Sequence, residues 1–61
     1  MAKSNRIQTV KSGQALAHRA MAEANRGQDV MDHYNGWLEI AAQAQKIAEE
    51  WRAIAEAEAA K

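Results

Sequence analysis

The chain has 61 residues with no cysteine and no proline, and its eight basic and eight acidic side chains cancel to a formal net charge of zero. That length allows one small domain, which buries roughly 60% of the surface its unfolded chain exposes. Without cysteine, disulfides and a thiolate zinc site are excluded as supports, so oligomerisation or a partner is what remains to stabilise it.

The hydrophobic content of 48% hides fifteen alanines, while Val, Ile, Leu and Phe together number eight. Alanine is the best helix former, and with only three glycines the chain can be helical almost throughout. Alanine cannot fill a large core. The few large side chains must supply most of the burial free energy, about 1.5–3 kcal/mol each when fully buried.

The first predicted helix runs over about residues 5–26. On a wheel of 100° per residue, Ile7, Val10, Gly13, Leu16, Ala17, Ala20, Met21 and Ala24 share one half, and Lys11, Ser12, His18, Arg19 and Glu23 the other. A turn over residues 27–29 follows, with Gly27 suited to the left-handed position past a helix end and Asp29 to the N-cap of the next helix. So short a connection requires two helices side by side and antiparallel.

The second predicted helix covers about residues 30–60, with a possible kink at Asn35-Gly36, because a mid-helix glycine costs about 1 kcal/mol relative to alanine. Along it, Trp37, Ile40, Ala44, Ile47, Trp51 and Ile54 recur in alternating steps of three and four, an apolar seam of the kind that meets another helix. Pairing about the turn sets Met21 near Gly36 and Trp37, Ala17 near Ile40, and Ile7 near Trp51, and makes the second helix outlast the first. The end bearing Trp51 and Ile54 is then expected to overhang, wet unless a second chain covers it. The expected fold class is therefore all-α, an antiparallel two-helix hairpin that dimerises into a four-helix bundle. In size and layout the chain is similar to the small plasmid RNA-regulatory hairpins that form such bundles, a likeness of architecture alone.

The zero net charge conceals opposite halves. Residues 1–28 carry five basic side chains against Glu23, and residues 29–61 carry seven acidic against three basic. An antiparallel hairpin sets the basic start beside the acidic end and relieves the clash of each with its own helix dipole. The alternative use of the basic helix is a nucleic-acid surface with Lys3, Arg6, Lys11 and Arg19 on phosphates.

Chemistry is sparsely represented. His18 falls on the polar side of its helix, His33 falls near the seam beside the turn, where a hydrogen-bonded packing role is expected, and the serines have no recognisable base. No carboxylate–histidine spacing suggests a metal and no glycine-rich loop suggests a phosphate or cofactor site. Trp37 and Trp51, two heptads apart, are residues enriched at binding hot spots. The expectation is a non-enzymatic protein without cofactor: a small regulatory or accessory protein of phage or plasmid type. It self-associates and meets a protein partner through Trp37, Ile40, Ile47, Trp51 and Ile54. No run approaches the ~18 apolar residues of a membrane span and no apolar signal core opens the chain, so a cytoplasmic location is expected.

Overall fold

The computed structural model describes residues 2–27 and 29–60, with side chains from residue 6 onward. Two helices account for nearly all of it, α1 at Ala2–Ala24 and α2 at Val30–Ala59. They run antiparallel: Arg6 faces Glu58 at 3.6 Å at one end, and Glu23 faces His33 at 2.8 Å at the other. The hairpin measures 49 × 15 × 11 Å, a single layer two helices wide.

The turn is built from local hydrogen bonds. The Asn25 N–H donates to the Met21 and Ala22 carbonyls, both at 3.2 Å, its side-chain amide donates to Met21 O at 2.9 Å, and the Arg26 N–H donates to Glu23 O at 3.2 Å. These bonds occupy the last carbonyls of α1 and stop it at Ala24, two residues before the expected end. No described glycine has a positive φ, so Gly27 is not the left-handed terminator expected from its position. Asp29 caps α2 as expected, its Oδ1 accepting from the Asp32 N–H at 3.0 Å. Through Asn35-Gly36 the helix is continuous, without the kink.

The interface differs from expectation in rotation. On α2, Ile40 and Ile54 are buried (7% and 8% exposed) and Ile47 is half-buried. Opposite them α1 presents Thr9, Gly13, Leu16, Ala20 and Glu23, buried or half-buried at steps of four and three. The half of α1 expected to face inward is divided: Gly13, Leu16 and Ala20 turn inward, whereas Ile7, Val10 and Met21 are exposed, and so are Ala17 and Ala24. The overhang is also absent. Gln8, Thr9 and Ser12 share a groove with Ile54, and Thr9 Oγ1 donates to Glu50 Oε1 at 3.3 Å.

Two substitutions check this. Loss of the cap in Asp29→Ala is expected to lower stability by about 1 kcal/mol in urea or thermal melts followed by circular dichroism. Ile54→Ala, a core truncation here, is expected to cost about 2 kcal/mol or more, whereas an exposed overhanging Ile54 would give almost no change.

Candidate interaction surface

A single layer of two helices has two broad faces, and the residues divide unequally between them. Grooves on one face are lined by Gln8, Ser12, Ala15, Arg19 and Ala22 of α1 together with Asn35, Glu39, Lys46 and Ala53 of α2. This is the polar face. At 100° per residue these flank the inward stripe of each helix on one side, so the residues flanking it on the other side meet on the opposite face.

That opposite face holds Val10, Gln14, Ala17 and Met21 of α1, with Ile7 at its outer edge, and Trp37, Ala41, Ala44, Ala48, Trp51 and Ala55 of α2. Between Val10 and Met21 on one helix and Trp37 and Trp51 on the other it carries no charged residue. The large members are open to solvent: Val10 is 43% exposed, Met21 64%, Trp37 41% and Trp51 36%. The seam read from the sequence therefore divides. Ile40, Ile47 and Ile54 turn into the hairpin, and Trp37 and Trp51 stay on its surface.

The second feature is a clasp at the turn, built around a buried carboxylate. Glu23 is 4% exposed although its position on the wheel assigned it to the polar half. Its Oε1 accepts from Arg26 Nη1 at 2.8 Å, and its Oε2 lies 2.8 Å from His33 Nδ1. The other ring nitrogen of His33, Nε2, is 2.9 Å from the Arg26 carbonyl oxygen. Both atoms facing the ring are acceptors, a carboxylate and a backbone carbonyl, so the imidazole engages both only with a hydrogen on each nitrogen. Gly36 makes room for the clasp. A Cβ there would stand 2.5 Å from Glu23 Cδ and 2.9 Å from Oε2, closer still to Oε1. Sequence reading missed Glu23, although the steps from Thr9 through Gly13, Leu16 and Ala20 lead to it and a glycine stands unexplained in the facing helix. The packing role expected of His33 is observed, and His18 is exposed as expected.

Of the basic residues considered for nucleic acid, Arg6 faces Glu58 at 3.6 Å and Arg19 pairs with Glu39, both across the hairpin. Lys11 is exposed, and the side chain of Lys3 lies outside the described residues. Among the described residues, no three His, Asp or Glu side chains are placed to hold a metal ion, and no helix is long and apolar enough to cross a membrane. Comparison with protein-family models, curated proteins and solved structures finds no match to this chain.

The clasp predicts a sign reversal. Gly36→Ala improves helix propensity by about 1 kcal/mol. In the wild-type background it also displaces the Glu23 carboxylate from Arg26 and His33, and the net effect is expected to be a loss of roughly 1 kcal/mol. In a Glu23→Ala background the same substitution is expected to stabilise, which a double-mutant cycle by urea denaturation measures.

Proposed function

We propose that this chain is a small non-catalytic accessory or regulatory protein that works by protein–protein contact, self-association included, through the face bearing Trp37 and Trp51. One observation carries the reading: two tryptophans, each more than one-third exposed, lie on the same uncharged face as Val10 and Met21. Monomeric soluble proteins rarely leave large contiguous apolar patches in water, and tryptophan is enriched where binding energy concentrates. Covering the face with two more helices converts the layer into a four-helix bundle.

The basic first helix fits the same reading. Arg6 and Arg19 are directed at Glu58 and Glu39 of α2, so part of the positive charge is matched within the hairpin. Such exposed pairs contribute only about 0–1 kcal/mol each, but they orient the helices and reduce the field available to phosphates.

The test is a Trp37→Gln, Trp51→Gln double variant checked for helicity and compared with wild type by sedimentation equilibrium and by affinity capture with and without nuclease. Association is expected to weaken about 100-fold or more, since each buried tryptophan anchor contributes on the order of 2 kcal/mol. A folded double variant that associates and captures proteins as wild type does overturns the reading. Salt-sensitive binding of RNA or duplex DNA that is lost in Lys11→Ala and Arg19→Ala transfers the function to the basic helix.

A further inference from the structure

The apolar face has a specific area, shape and charge setting, and these select an occupant. The chain exposes 4923 Å², whereas a compact folded monomer of 6.7 kDa is expected to expose about 3,900 Å². The surplus of roughly 1,000 Å² is close to the ~800 Å² that each partner buries in a standard specific interface. One broad face of the hairpin, 49 Å by 15 Å, supplies about that area. A second copy of the chain is a partner of the same length, with an equal surplus to bury and an uncharged face of its own to offer.

Two copies can meet face to face about a two-fold axis in two simple ways. With the axis across the helices, α2 lies on the partner's α2 and α1 on the partner's α1. Trp37 then meets Trp51 of the partner subunit and Ala44 meets its own copy. With the axis along the helices, each α1 lies on the partner's α2, and neighbours remain antiparallel. Charge separates the two. Residues 1–28 have a balance of plus four (five basic, one acidic) and residues 29–61 a balance of minus four (three basic, seven acidic). By net charge, stacking like helices sets basic on basic and acidic on acidic, whereas crossing them sets basic on acidic, which favours docking and disfavours the other arrangement. In the crossed arrangement the helices keep the levels they have within the hairpin, where Arg19 meets Glu39 and Thr9 meets Glu50, so Trp37 lies level with Met21, Trp51 level with Ile7 and Ala17 level with Ala41, and indole does not meet indole.

Resting on the reading of this face as the contact surface, we propose that a second copy of this chain covers it, with the two-fold axis parallel to the helices and each α1 seated on the partner's α2. The complex is a four-helix bundle in which every helix has an oppositely charged helix both within its own chain and across the interface.

Because the chain has no cysteine, engineered thiols report the arrangement directly. Ala17→Cys and Ala41→Cys chains are mixed and mildly oxidised, with Ala44→Cys treated alone in parallel; helicity is checked for each. A disulfide needs Cα atoms within about 7 Å. The mixed Ala17–Ala41 position disulfide is expected to form, exceeding the Ala44→Cys homodisulfide by roughly tenfold or more through the effective concentration in the preformed dimer. Dominant homodisulfide at Ala44→Cys overturns the arrangement in favour of like-on-like stacking. A folded wild-type monomer at micromolar concentration in sedimentation equilibrium overturns the second copy as occupant. That result leaves the proposed contact function to be decided separately by protein capture with the tryptophan double variant.

Discussion

The carboxylate of Glu23 decides which way α1 faces. A helix lined with alanine can rotate against its neighbour at little cost, because small side chains on adjacent faces present similar surfaces. A charged group held on both oxygens cannot. With Arg26 on one oxygen and His33 on the other, and Gly36 leaving room for the carboxylate, Glu23 is fixed inward beside the turn. Residues at successive steps of three and four from it must follow, so Ala20, Leu16, Gly13 and Thr9 form the inner stripe. Val10 and Met21 are carried about 100° round, onto the exposed face.

This choice favours one defined geometry over maximal burial. Desolvating a carboxylate costs several kcal/mol unless it is paired and hydrogen-bonded, and replacing such a cluster by apolar residues is often neutral or stabilising. Here the pairing is made by groups contributed from both sides of the turn, so it operates only when the helices are in this register and rotation. A slip of one residue along α2 would bring a side chain in place of Gly36 against the carboxylate. The clasp therefore acts on register, in the way a single buried polar residue specifies alignment in helical bundles.

Much of the architecture was legible in the sequence because it rests on local rules. Alanine content and the absence of proline specify helix, Asp29 announces the start of α2, and the brevity of the connection requires a hairpin. The heptad steps from Trp37 to Ile54 identify the right helix face to within half a face. The rotation of α1 was not legible, because wheel analysis assigns a glutamate to water and Met21 and Val10 to the core, and only the placement of His33, Arg26 and Gly36 around Glu23 reverses that. The covering of Ile54 depended on register. Arg6 reaches Glu58, further along α2 than a pairing of Ile7 with Trp51 places it, so Gln8, Thr9 and Ser12, all within the expected helix, lie over Ile54.

The width of the apolar arc on α2 says how many neighbours it needs. A helix that meets one partner through a coiled-coil seam requires only a narrow stripe, whereas a helix facing a bundle core carries an apolar arc 100° wide or more. On α2 the arc runs from Gly36 and Ile54 through Ile40, Trp51, Ala44 and Trp37 to Ala41, about 140° at 100° per residue. Helix α1 occupies the part nearest the isoleucines and leaves more than a third of each tryptophan exposed. Turning α1 to bring Val10 and Met21 inward would not alter this, because a single neighbour covers a single stripe whatever residues it presents. Such a rotation would also draw Glu23 away from His33 and Gly36, losing the clasp while Trp37 and Trp51 stayed partly exposed. The uncovered part of the arc is thus a property of α2 and of having only two helices in the layer, and no rearrangement within one chain removes it.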